Sequence, residues 1–136
     1  MSSSSHRPYS ALYVEDYKPD RMALVNALQQ AGIEAQGVRQ PSEAIDLVCR
    51  SHGPIDAVIL DLGLSGRPNG PELAKRLSLE NRDRFRFGFF YTIQSEESEL
   101  MRRARALEAE GWEIVVKNSF DIDSFVALIL ARIENG

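Results

Sequence analysis

Five short apolar runs alternate along the chain with longer stretches whose apolar residues recur every three or four positions. The first run, Ala11 to Val14, stops abruptly at Glu15-Asp16 and reads as a strand. Arg21 to Ala31 follows with Leu24, Ala27, Leu28 and Ala31 at helical spacing, and Gly32 closes it. Ile33 to Val38 reads as a weak second strand. Pro41 then opens a helix whose apolar face is Ala44, Ile45, Leu47 and Val48, ended by Gly53-Pro54. Ala57 to Leu60 has no polar alternation at all, which suits a central parallel strand covered on both faces, and it stops at Asp61.

The second half repeats the scheme. A glycine-rich loop over residues 62–70 leads into a short third helix from Pro71 to about Leu79. Residues 81–86 are charged and irregular, with Arg82, Arg84 and Arg86 expected as a solvated run. Phe87 to Ile93 forms a fourth, aromatic strand. Ser95 is expected to cap the fourth helix, with Glu96, Glu97 and Glu99 in its first turn and Leu100, Met101, Ala104 and Leu107 as its buried stripe. Gly111 ends that helix, Trp112 to Val116 is the fifth strand, and Asp121 to Glu134 is the last helix. Strict alternation of five strands with five helices argues for a parallel sheet with helices on both faces. Residues 10–134 are expected to form the domain and residues 1–9 a frayed tail.

Composition narrows the picture. The chain has 136 residues, 43% hydrophobic and 26% charged, enough for one core without disulfides or a structural metal. A net charge of -4 is not the basic footprint of a nucleic-acid binder, and the apolar runs are too short to span a membrane. The single cysteine, Cys49, has no disulfide partner within the chain, suits a reducing cytoplasm, and is expected to be at least half-buried beside the apolar side of the second helix.

The candidate chemistry lies where the strands end. Open parallel sheets place their sites beyond the carboxyl ends of the strands. There the chain has Glu15 and Asp16 after the first strand, Asp61 after the third, Thr92 at the fourth and Lys117 after the fifth. Carboxylates brought this close repel, by roughly 4 kcal/mol for a pair at about 4 Å in an effective dielectric of 20. A lysine offsets part of that and a hard divalent cation such as Mg²⁺ offsets more. A carboxylate beside such a cation can attack a phosphoryl donor, and an ammonium and a hydroxyl are suitable partners for the phosphoryl oxygens.

These segments resemble the receiver domains of response regulators. Leu12-Tyr13-Val14-Glu15-Asp16 is similar to their first strand and acidic pair, and Val58-Ile59-Leu60-Asp61-Leu62 to the strand bearing the phosphoacceptor. Asn69-Gly70 with Glu72-Leu73 resembles the turn and helix start that follow. Phe90-Tyr91-Thr92 resembles the strand with the switch hydroxyl, and Val115-Val116-Lys117 the strand with the family's lysine. The resemblance implies a flavodoxin-like, doubly wound five-stranded sheet of order 2-1-3-4-5. It also implies that Asp61 accepts a phosphoryl group from a histidine kinase or histidine phosphotransfer protein. Asp16 and Asp61 would ligate Mg²⁺ directly with the Gly63 backbone carbonyl, and Glu15 through water. Lys117 and Thr92 would bind phosphoryl oxygens, making the chain a catalyst of its own phosphorylation and dephosphorylation. A downstream effector protein would read the signal. Arg102, Arg103 and Arg105 lie on the fourth helix, a face where family members often meet partners or, with the fifth helix, pair as homodimers.

Departures from the pattern fall mainly on the output side. Ile114 stands where an aromatic residue is usual, Asn118 where a proline often follows the lysine, and Ser65-Gly66 where the loop often has a proline. The interval from Thr92 to Lys117 is slightly long, so an extended fourth helix is expected. A second reading is a pseudo-receiver, an interaction module that does not use the phosphorylation cycle. A third, a small hydrolase with Asp61 as nucleophile, is disfavoured because Gly63 stands where its second acid would be.

Overall fold

The computed structural model describes residues 8–51, 53–64, 68–93, 98–117 and 121–136. Five strands, β1 (Ser10–Val14), β2 (Glu34–Val38), β3 (Ile55–Leu60), β4 (Phe85–Thr92) and β5 (Trp112–Val116), form one sheet. All neighbours are parallel and the order is β2-β1-β3-β4-β5. The helices are α1 (Lys18–Gln30), α2 (Pro41–Arg50), α3 (Gly70–Glu80), α4 (Glu99–Ala106) and α5 (Ile122–Asn135). This is the doubly wound, flavodoxin-like arrangement that the resemblance implies.

Each face of the sheet has its own core. Leu24 and Leu28 of α1 and Phe125, Ile129 and Ile133 of α5 cover one face, against Tyr13, Ile59, Phe89 and Tyr91. Ala44 and Val48 of α2, Leu73 and Leu77 of α3, and Met101 and Ala104 of α4 cover the other, against Leu12, Val58, Leu60 and Phe90. Strand β3 sits at the centre, and its residues Asp56 to Leu60 are all fully buried. Burial on both sides is why this strand shows no polar alternation after Asp56.

Several boundaries differ from the sequence reading, each for a local reason. Helix α1 starts at Lys18, before Arg21, because Pro19 falls in its first turn, where a missing N–H is harmless. Strand β3 begins at Ile55, so the polar Asp56 lies inside it. The Asp56 carboxylate accepts the Ser10 N–H at 2.9 Å and an Arg86 guanidinium N–H at 3.0 Å. Arg82, Arg84 and Arg86 are therefore not simply a solvated run. Arg82 lies 4.7 Å over the Phe85 ring, Arg84 donates to the Ser51 carbonyl, and Arg86 ties Asp56 to the Ile133 carbonyl of α5. Cys49 is exposed, not half-buried, because α2 turns Ala44 and Val48 inward and leaves Cys49 outside that stripe.

Helix α4 is not extended. It has 8 residues, is capped by the Ser98 side chain accepting the Met101 N–H, and is followed by a 3-10 turn over Glu108–Glu110. Ser95, Glu96 and Glu97, expected at its start, lie outside the described residues, as do His6, His52, Ser65, Gly66, Gln94 and Asn118. Gly111, at φ 97°, turns the chain from that 3-10 segment into β5. At the other end of the chain, Tyr9 packs against the α1–α5 core and its carbonyl accepts the Glu34 N–H. No helix among the described residues is long and apolar enough to cross a membrane.

Gly88 is a close-approach glycine. A Cβ there would lie 2.5 Å from the Trp112 ring. That indole is held between Phe85 and Phe90, and its Nε1–H donates to Ser78 Oγ at 2.8 Å. The ring cannot retreat cheaply. Gly88→Ala should therefore destabilise the fold by about 1–3 kcal/mol, read as a lower urea midpoint with an unchanged slope; an unchanged midpoint would show that the indole gives way freely.

Candidate functional site

The sheet continues to act on the chain just past its strands. The Glu15 N–H donates to the Val38 carbonyl at 3.0 Å, the Asp61 N–H to the Val14 carbonyl at 3.2 Å, and the Lys117 N–H to the Thr92 carbonyl at 2.8 Å. Ladder-like bonds of this kind fix the first residue beyond β1, β3 and β5, so groups far apart in sequence meet along one edge. Glu15, Asp16 and Asp61 each offer a carboxylate oxygen, and these oxygens all lie within 4.8 Å of one another.

Glu15 is the most enclosed of the three, at 2% exposure. Its carboxylate accepts the Tyr13 hydroxyl at 3.1 Å and the Tyr17 N–H at 3.2 Å, while its carbonyl accepts Arg21 at 2.8 Å. Lys117 donates to Glu15 Oε1 at 3.1 Å and to Asp20 Oδ2 at 3.0 Å, and its ammonium lies 5.2 Å from the centre of the Tyr91 ring. Thr92 is fully buried at the end of β4, where its hydroxyl favours the ionised form of the neighbouring Asp61 carboxyl. Gly63 lies exposed in the turn two residues after Asp61. Ile114 is partly buried in β5, packed against the core on the α2–α3–α4 face.

The electrostatics follow from this crowding. Burial, with Glu15 and then Asp16 as like charges, pushes the Asp61 carboxyl up to about 6, against the opposing pull of Lys117 and the Thr92 hydroxyl. Burial works against the Lys117 ammonium, but its bonds to Asp20 and Glu15 prevail and hold it above the ordinary lysine range. The Tyr13 hydroxyl is pushed well above its usual range by burial and then by the charge of Glu15. Three carboxylates sharing one small volume form an all-oxygen donor set, the type that hard divalent cations such as Mg²⁺ select. The residues present therefore fit that ion.

The sequence pattern points to Glu15, Asp16, Asp61, Gly63, Thr92 and Lys117 but not to Tyr13 or Asp20. Tyr13 carries no signal beyond that of a strand residue. A helix that begins at Arg21 leaves Asp20 off the turn of α1 that reaches Lys117. Pro19 after an extended Tyr17 was the available signal for the earlier start.

A doubly wound sheet with an acidic cluster, a hydroxyl and a lysine at its strand ends defines a receiver-type fold as a class. The family model for the response regulator receiver domain matches residues 11–130, and the chain belongs to that family. Solved structures agree in fold. A signal receiver domain of an HD domain-containing protein from Pseudomonas fluorescens is similar with a TM-score of 0.78 and 20% identity, covering 95% of this chain and 96% of that one. A chemotaxis response regulator of Vibrio cholerae has a TM-score of 0.73 and 23% identity, covering 93% and 99%. A sensor protein from Polaromonas has a TM-score of 0.76 and 22% identity, covering 96% and 98%. No curated protein matches the chain in sequence.

The raised Asp61 carboxyl makes a signed prediction for the cation-free protein. Unfolded Asp61 ionises near 3.8 and folded Asp61 near 6, so the native state binds more protons between these values and stability falls as pH rises through them. The cost is fully present above pH 6 and is about 2–3 kcal/mol. In EDTA, Asp61→Asn should be more stable than wild type at pH 8, with the gain shrinking as pH falls from 6 toward 4. A pH-independent difference in urea unfolding would contradict this.

Proposed function

We propose that the chain is a working phosphoacceptor switch of a two-component or phosphorelay system, with Asp61 as the acceptor. The observation that carries this reading is the convergence of three carboxylate oxygens within 4.8 Å, with Lys117 bonded to Glu15 and the buried Thr92 at the end of the neighbouring strand. In the transfer, an Asp61 carboxylate oxygen attacks the phosphorus of a phosphohistidine on a histidine kinase or phosphotransfer protein. The new oxygen–phosphorus bond forms as the nitrogen–phosphorus bond breaks, and the imidazole leaves with its electron pair. Asp16, Asp61 and the Gly63 carbonyl would hold Mg²⁺, with Glu15 acting through water. When bound, the ion supplies positive charge that offsets both the carboxylates and the phosphoryl oxygens. Thr92 and Lys117 serve as a hydroxyl donor and an ammonium donor to those oxygens.

The signal then passes to an effector protein in the cytoplasm. Ile114, where the family usually has an aromatic residue, favours an altered readout at β5 and is the observation behind the pseudo-receiver alternative. The two readings differ in chemistry, so one experiment separates them. Incubation with acetyl phosphate and Mg²⁺, followed by intact mass, should give one phosphoryl adduct that needs the cation and is absent in Asp61→Asn. A folded wild-type protein that never gains the adduct would favour the pseudo-receiver.

A further inference from the structure

Lys117 is placed unevenly among the acids around it. Its ammonium donates to Asp20 at 3.0 Å and to Glu15 at 3.1 Å, whereas Asp61 enters as a nearby charge. The two carboxylates differ in how firmly they are held. Glu15 has a side chain only 3% exposed and also accepts the Tyr13 hydroxyl and the Tyr17 N–H, so its oxygens are fixed. Asp20 has a side chain 46% exposed, stands in the first turn of α1, and bonds Lys117 from that helix. An aspartate in that first turn already suits the helix dipole, which explains its presence but not its bond to a lysine on the far side of the sheet edge.

We propose that Asp20 is a positioning residue that holds the Lys117 ammonium on the α1 side of the pocket, so that Lys117 must exchange Asp20 for a phosphoryl oxygen when Asp61 is occupied. This rests on the phosphoacceptor reading above. Asp20 is the displaceable partner because it is half in solvent, where water replaces Lys117 at low cost. Glu15 stays as the pivot. The Tyr91 ring beneath the ammonium lets the charge swing between its two positions without entering an apolar wall. Asp20 thereby competes with the phosphoryl group and sets how readily the occupied state forms.

The test is the affinity for beryllofluoride, a phosphoryl mimic, in the presence of Mg²⁺, followed by fluorine NMR. Asp20→Asn keeps the shape and should tighten binding by about two- to five-fold, the size expected for a partly exposed ion pair. Asp20→Glu, which keeps the charge, should stay near wild type. In a Lys117→Ala background, Asp20→Asn should have no effect, a dependence that a purely helical role for Asp20 would not produce. Equal or weaker binding by Asp20→Asn, or the same gain without Lys117, would overturn the proposal. Failure of the wild type to bind beryllofluoride would instead count against the phosphoacceptor reading. The placement of Lys117 would then be judged on a crystal structure of Asp20→Asn without the mimic. Lys117 moved to within hydrogen-bond distance of Asp61 supports the role for Asp20, and an unmoved Lys117 refutes it.

Discussion

Mutual repulsion among Glu15, Asp16 and Asp61 is the constraint around which the rest of the domain is arranged. Nothing local in the sequence brings Asp61 to the adjacent Glu15 and Asp16. Parallel pairing of β1 with β3 does so, and the Asp61 N–H bonded to the Val14 carbonyl fixes the last step. The two cores on either side of the sheet supply the rigidity, with residues 57–60 of β3 wholly enclosed. A site of like charges is stable only on a scaffold that cannot relax to separate them. Burial first, and then the Glu15 and Asp16 charges, hold the Asp61 carboxyl above the usual carboxylate range.

Relief comes from three directions, and they are not equivalent. The Thr92 hydroxyl on β4 favours the ionised Asp61, and Tyr13 and the Tyr17 N–H satisfy Glu15 from β1 and the start of α1. Lys117 brings a full positive charge but is shared with Asp20, so Asp61 receives only part of it. The remaining deficit is what the proposed cation would offset. The proposed competition for Lys117 and the proposed cation site both draw on this one charge imbalance.

Much of this was legible in the sequence, because both the fold and the site are written in period and position. Continuous apolar runs gave the strands, and the chemical residues stood at their ends, where topology alone brings them together. What escaped was decided by tertiary contacts. Asp56 broke the apolar run of β3, yet its partners Ser10 and Arg86 are distant in sequence and leave no local mark. Asp20 needed the true start of α1. Cys49 depended on which few degrees of α2 face the core, and the chain just before β5 forms a 3-10 turn over Glu108–Glu110 in place of further α4. The readout side remains the least standard part, with Ile114 packed into the α2–α3–α4 face in the position usually held by an aromatic ring.

Binding of a divalent cation by the three carboxylates would show in thermal unfolding with and without MgCl₂. A ligand that binds only the native state adds about 2.7 kcal/mol of stability at a hundred times its Kd. Mg²⁺ should therefore raise the Tm of the wild type by several degrees, more at pH 8 than at pH 5, and Asp16→Asn should lose most of that gain. A Tm indifferent to Mg²⁺, or an equal rise in Asp16→Asn, would contradict the account.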